Sequence, residues 1–130
     1  MKYRKFGSLD FDVSVVGFGS AAISGEGGGY GFGDITEAQA IELVHAAQDL
    51  GINLFDTAPI YGFGMSEQRL GKALRGARRD DAFIVTKCGI AWDDKRRVGL
   101  DNSQATTRKM IEQSLRDLQT EQIDLYLIHW

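Results

Sequence analysis

Three stretches of the chain repeat apolar residues with the period of an amphipathic helix. Between Thr36 and Leu50, the residues Ala40, Leu43, Val44, Ala47 and Leu50 form one stripe, the spacing that lines up side chains on a single helical face. Thr36 and Gln39 have the spacing of a capping box, and Gly51 sits where a C-terminal cap belongs. Leu70, Ala73, Leu74 and Ala77 predict a second helix from about Ser66 to Arg75, stopped by Gly76. Ile111, Leu115 and Leu118 predict a third, from Ser103 to about Gln119. Four shorter runs, Val13–Gly17, Ile52–Asp56, Ala82–Lys87 and Ile123–His129, are almost continuously apolar and β-branched, as strands covered on both faces should be. The order β-α-β-α-β-α-β predicts an α/β fold with parallel strands and right-handed crossovers. Ahead of it, Tyr3–Phe6 and Phe11–Asp12 flank Gly7-Ser8-Leu9-Asp10 and predict a small hairpin suited to capping.

Composition narrows the class. The 130 residues, 43% hydrophobic and 25% charged, are ordinary globular values, which argues against disorder, coiled coil and fibrous repeats. A net charge of −3 provides no electrostatic footprint for nucleic acid or an anionic membrane. Cys88 is the only cysteine, so no internal disulfide framework is expected and a reducing cytoplasm suits the chain. The start, MKYRKFGSLDF, has no apolar signal core, and no apolar run approaches the ~18 residues of a membrane span. A soluble cytoplasmic location is expected.

Half of the 16 glycines fall between Gly17 and Gly33. Gly17-Phe18-Gly19-Ser20-Ala21-Ala22 matches the G-x-G-x-x-A turn of dinucleotide-binding folds. That turn works only if a helix opens at once, so that its first amides face a pyrophosphate. Here the next helical pattern starts near Thr36, after a glycine-rich loop from Gly25 to Gly33. The better reading is a strand end that a ligand or neighbour approaches closely, followed by a long loop. Tyr30 and Phe32 in that loop suit either a cover over a ligand or exposed linker positions.

Three successive apolar strands carry an ionisable residue at the carboxyl end: Asp56, Lys87 and His129, with Tyr61 just beyond the first. In parallel α/β folds that end is where ligands bind. A phenol alone is too weak an acid to donate a proton quickly at neutral pH. A neighbouring ammonium favours the phenolate and makes the phenol a better donor. Lys87 fits that part, and Asp56 fits that of its counter-charge in an apolar pocket. His129 suits orienting and polarising a carbonyl oxygen. One His, one Asp, one Lys and one Tyr make a poor metal site, and no metal is expected. Cys88 adjoins Lys87 on the opposite strand face and reads as a packing thiol. No side chain in the set can supply a hydride, so carbonyl reduction by these residues implies a nicotinamide cofactor.

Gly51-Ile52-Asn53-Leu54-Phe55-Asp56-Thr57-Ala58-Pro59-Ile60-Tyr61-Gly62, with Ser66-Glu67 and Leu70-Gly71 behind it, resembles the first signature of the aldo-keto reductases. Phe83–Lys87 resembles their lysine strand, and Ile123–Trp130 the strand that bears their histidine. Thr86–Asp93 is similar to the bacterial stress- or sugar-related branch, to which the potassium-channel β-subunit branch is related. The resemblance implies a TIM (β/α)8 barrel that reduces aldehydes and ketones with NADPH. It implies Tyr61 as general acid, Lys87 as its activator, Asp56 as the partner of the lysine near the nicotinamide ribose, and His129 as the group that orients the substrate. Gly19 and Ser20 match the backbone stretch that approaches NADP(H). Trp92 matches a substrate-loop position or, equally, a loop anchor.

A complete barrel needs roughly 200–250 residues or more, so the chain corresponds to about its first half: four strands, three helices and the hairpin. The resemblance therefore implies one incomplete domain over residues 1–130, with the first and fourth strands as open edges and the inward faces of all four strands without partners. Three accounts follow, in order of preference: a truncated product, part of a longer protein, or a half-barrel that pairs with a second half. The alternative to a reductase is a catalytically inactive fragment or half-barrel that binds a partner chain. Small carbonyl compounds are the expected substrates.

Overall fold

The computed structural model describes residues 1–25 and 29–130; residues 26–28 of the predicted glycine loop lie outside the described residues. Strands β1 (Tyr3–Lys5) and β2 (Asp12–Ser14) form an antiparallel hairpin. Then come β3 (Gly17–Gly19), a 3-10 turn (Ser20–Ile23), α1 (Glu37–Asp49), β4 (Leu54–Asp56), α2 (Met65–Ala73) and a short α3 (Ala77–Asp80). Strand β5 (Phe83–Cys88) leads into a second antiparallel hairpin, β6 (Ile90–Trp92) and β7 (Val98–Leu100), and α4 (Gln104–Leu118) and β8 (Leu125–Ile128) complete the order. Strands β3, β4, β5 and β8 make one parallel sheet in that order. Three of the four predicted strands and the three predicted helices are present, along with the N-terminal hairpin, and the first sheet strand lies further along the chain than predicted.

Several boundaries differ from expectation. The apolar run Val13–Gly17 is not one strand: Val13 and Ser14 pair in the hairpin, and the sheet strand begins at Gly17. A single run of apolar residues cannot reveal where the chain changes sheets. Helix α1 has the expected capping box, with Gln39 N donating to Thr36 Oγ1 and Thr36 N donating to Gln39 Oε1. Its buried line is Ala40, Val44 and Ala47, whereas Leu43 and Leu50 are exposed. The small alanines pack against α2, and the two leucines stand off that contact line. Ala77 is exposed because Gly76 (φ +65°) breaks the helix and α3 starts anew. In α4 the fully buried residues are Ser114 and Leu118, while Ile111 and Leu115 are only half-buried. Gly71 permits the contact between α2 and α4, since a Cβ there would lie 2.5 Å from the Leu118 carbonyl group.

Alternation along the strands creates two environments. Phe55 and Ile84 point to the helical layer and join Ile23, Val44, Leu70 and Leu118 in the main core. Phe83 and Val85 point the other way, into a small cluster with Val13, Phe11 and Leu54. Phe6 and Phe11 stack on Phe83 with ring centroids 5.1 and 5.7 Å apart. The N-terminal hairpin thus caps the amino end of the sheet, and the inward faces of the strands are not wholly without partners, contrary to expectation. No helix among the described residues is long and apolar enough to cross a membrane.

A carboxyl group lies deep in the helical layer. Glu67 of α2 is fully buried; its Oε1 accepts a hydrogen bond from Thr86 Oγ1 at 2.7 Å. Burial pushes its carboxyl up to about 7, against the Thr86 bond, which favours the charged form. The folded chain therefore holds a proton that an unfolded carboxyl, at 4.5, releases. Stability from this proton is fully present below pH 4.5 and is lost as pH rises through about 7. Urea denaturation across that range is expected to show falling stability. Glu67→Gln is expected to flatten the profile and to raise stability above pH 7 by up to about 3 kcal/mol. An unchanged profile in the variant would mean that Glu67 ionises freely in the fold.

Candidate active site

Register between the strands brings the four sequence-predicted residues together. Asp56 ends β4 level with Val85, and Lys87 lies two residues further along β5, on the same inward face. Lys87 is 9% exposed. Its Nζ donates to Asp56 Oδ1 at 2.8 Å and to the Thr57 carbonyl at 2.8 Å. An ammonium this buried is tolerated only when its protons find partners, and these two contacts provide them. His129 follows β8; its backbone N–H donates to the Cys88 carbonyl at 2.9 Å, continuing the strand pairing by one residue. Tyr61 lies in the turn between β4 and α2, where Gly62 (φ +64°) passes so close to Ser24 that a Cβ would meet it at 2.9 Å.

The side chains converge at the carboxyl end of the sheet. Lys87 Nζ lies 5.3 Å from the centroid of the Tyr61 ring. The imidazole of His129 meets that ring edge-on, 5.8 Å between centroids and 90° between planes. Burial first, and the Lys87 ammonium second, hold His129 below the ordinary histidine value, with Asp56 opposing them. Its ring is thus kept neutral at physiological pH, able to donate from one nitrogen. The arrangement holds a phenol between a fixed ammonium and a neutral imidazole, which suits proton delivery to an oxygen.

The other predicted residues are placed as follows. Gly19 is exposed at the end of β3, level with Asp56, and a Cβ there would touch nothing within 4 Å. Ser20 is fully buried, and its hydroxyl donates to the Asp56 carbonyl at 2.7 Å. The Ser20 hydroxyl is thus engaged within the fold. Trp92, on β6, packs edge-on against Phe63 at 5.3 Å and lines a neighbouring hollow with Pro59 and Lys109. It is not among the residues of the cleft beside Tyr61 and His129. Cys88 is buried, on the face opposite Lys87. Directly after β3 comes a 3-10 turn, and among the described residues the next helix starts at Glu37, so no dinucleotide-binding turn forms at Gly17–Ala22.

Two features of the site are not among those expected from the residue order. A brace runs behind the site: Ser66 Oγ donates to the Ser20 carbonyl at 2.7 Å and lies 3.2 Å from Thr57 Oγ1. It locks the backbone that presents Asp56 and the Thr57 carbonyl. Nothing in residue order announces such contacts, although Ser66-Glu67 was visible as part of the signature. The second is the β6–β7 hairpin, which walls a cleft of about 470 Å³ over Tyr61 and His129. Its signal was present: Ile90–Trp92 and Val98–Leu100 flank a polar turn in which Asp93 accepts the Lys95 and Arg97 amides.

A family model described as the aldo/keto reductase family matches residues 15–130. The chain belongs to the aldo/keto reductase family. It is 39% identical to the aldo-keto reductase YhdN of Bacillus subtilis over all of its own length and 38% of that protein's. An NADH-specific methylglyoxal reductase of Escherichia coli is 36% identical, with 42% of its length matched. The holo form of an aldo-keto reductase from Bacillus halodurans superposes with a TM-score of 0.83 at 37% identity, covering 98% of this chain and 40% of that one. A Klebsiella pneumoniae aldo-keto reductase solved in complex with NADPH gives a TM-score of 0.70 at 28% identity, over 92% of this chain and 36% of that one. This family member thus spans about two-fifths of the length of its relatives, and its sheet is part of a TIM (β/α)8 barrel.

Removing the lysine charge tests the electrostatics directly. Lys87→Met takes a positive charge from beside His129 and leaves the Asp56 carboxylate uncompensated; both effects raise the His129 pKa. An NMR titration of the imidazole protons is expected to show that rise. A titration midpoint that does not move would mean that the ring does not sense Lys87.

Proposed function

We propose that this chain carries the proton-delivering part of an NADP(H)-dependent reductase of aldehydes and ketones, working equally in the alcohol-oxidising direction. The observation that carries the reading is the convergence of Lys87, Tyr61 and His129 at one mouth, with the Lys87 ammonium held 2.8 Å from Asp56 Oδ1. In this reading Tyr61 Oη gives its proton to the substrate oxygen. Lys87 stabilises the phenolate left behind, and Asp56 holds the Lys87 ammonium in place. His129 donates to the same oxygen and fixes the direction of the carbonyl. NADPH, when bound, supplies the hydride. The open strand end at Gly19 and the half-exposed Asp56 carboxylate fit the nicotinamide ribose end of such a cofactor, with Ser20 contributing backbone only. The NADPH complex of the Klebsiella relative supports this choice.

Residues 1–130 are in this reading one incomplete barrel domain. Strands β3 and β8 are the outer strands of the sheet, and further strands, from a C-terminal half or a second half-barrel, would pair with their free edges. The alternative, a half-barrel that binds its partner without turnover, rests on the same open edges. The family's chemistry and the single buried thiol suit the cytoplasm.

Tyr61→Phe is the decisive variant. In the completed barrel, loss of the proton donor is expected to lower carbonyl reduction by roughly 10²–10⁴-fold, followed as NADPH consumption. NADPH binding, read by cofactor fluorescence, is expected to persist. Undiminished turnover in this variant would remove Tyr61 from the chemistry.

A further inference from the structure

His129 stands just past the end of an outer strand. Among the described residues β8 pairs with β5 alone, and its last residues, Leu127 and Ile128, are exposed. Strand pairing carries as far as the His129 N–H, which donates to the Cys88 carbonyl at 2.9 Å. The Asn102 side chain extends the hold by one residue: its Nδ2 donates to the Trp130 carbonyl at 2.8 Å. The imidazole is therefore aimed by a backbone tied down on both sides of its own residue.

Asn102 is itself firmly placed, in the link between β7 and α4. On one side of it, the Asp101 N–H donates to the Gly89 carbonyl at 2.9 Å. On the other, Ser103 caps α4, its Oγ accepting from the Thr106 N–H. The Asp101 carboxylate accepts from the Ser103 N–H at 2.8 Å and from the Thr106 hydroxyl at 2.6 Å. Local bonds of this kind fix a short polar link without help from apolar packing. Gly89 (φ +98°) completes the arrangement, because a Cβ there would lie 2.5 Å from Asn102 Oδ1 and 3.1 Å from the Trp130 carbonyl oxygen. Any side chain at that position would press on both partners of the bond.

We propose that Asn102 is a positioning residue for His129, its side-chain amide holding the Trp130 carbonyl so that the imidazole stays against the Tyr61 ring. The inference rests on the reductase reading of His129 and deepens it. Tyr61 and His129 must reach the same substrate oxygen, and their rings meet edge-on with centroids 5.8 Å apart. A misplacement of about 1 Å in such a pair can cost on the order of 10²-fold in rate. Asn102 is exposed, so its replacement takes little from the core, and an effect on His129 reports the bond and not a loss of fold.

The test follows the imidazole protons by NMR in Asn102→Ala and Asn102→Leu, of which leucine nearly preserves the volume while both remove the donor. The chain has two histidines, and His45, whose Nε2 lies 2.9 Å from the Ala73 carbonyl, is the internal control. In both variants the His129 ring protons are expected to shift toward their unfolded-chain positions as the ring leaves Tyr61. The His129 titration midpoint is expected to rise toward the ordinary histidine value, as burial and the Lys87 ammonium lose their hold on it. The His45 signals and the urea midpoint are expected to stay where they are. Unmoved His129 signals in both variants overturn the inference, as does a native position in the leucine variant, which would make Asn102 a filler of space. A displacement shared by His45 overturns it too. In the completed barrel, Asn102→Leu is expected to lower kcat for 4-nitrobenzaldehyde about tenfold, with the KM for NADPH unchanged. A ring that moves while kcat stays constant upholds the role of Asn102 and counts against the part given to His129 alone.

Discussion

The Lys87 ammonium is held under the mouth of the sheet by two oxygens, Asp56 Oδ1 and the Thr57 carbonyl, and much of the surrounding structure serves that arrangement. A buried ammonium without partners would lose its proton or its place. Both oxygens belong to the end of β4, so the geometry depends on the register of β4 against β5, which sets Asp56 level with Val85. A slip of one residue would turn Lys87 toward the helices and Thr86 toward the site. The apolar partition resists such a slip, because it would also exchange Ile84 with Val85 between the two cores.

The polar groups behind the site follow from the same demand. Ser20, Thr57 and Ser66 tie the ends of β3 and β4 to the start of α2, using short hydroxyls where longer side chains would not fit. Arg69 of α2 is also buried and donates to the Ile23 and Ile35 carbonyls, anchoring both flanks of the glycine-rich loop. Glu67 bonds Thr86, the neighbour of Lys87, from the helical side. Helix α2 therefore does more than cover the sheet: it clamps the segment that presents Asp56 and braces the strand that carries Lys87. The sheet ends gain rigidity from buried polar contacts, and the apolar layer supplies the low dielectric in which those contacts are strong.

The two hairpins divide the remaining tasks between the ends of the sheet. The N-terminal hairpin stacks Phe6 and Phe11 on Phe83 and closes the amino end. The β6–β7 hairpin stands at the carboxyl end, with Trp92 edge-on to Phe63 and the Arg96 guanidinium 4.8 Å from the centroid of the same ring. Packing closes one end of the sheet, and the candidate site lies at the other, as in barrels generally.

Much was legible in the residue order. The capping box of α1, the three helices, three of the four parallel strands and the ionisable residue closing each of those three are local patterns, written in adjacent or periodically spaced side chains. So is the chemistry available to Asp56, Tyr61, Lys87 and His129, because functional groups are intrinsic to the residues. What the order of residues does not contain is distance between segments. The break of Val13–Gly17 into two sheets, the exposure of Leu43 and the burial of Ser114 depend on which neighbour each face meets. The Thr57 carbonyl as a ligand for Lys87, the Ser66 brace and the apolar wall raised by Val98 and Leu100 are contacts between residues far apart in the chain, decided by strand register and helix packing. The sequence by itself determined which groups are present and on which face of each element they stand. The tertiary structure decided which of them touch.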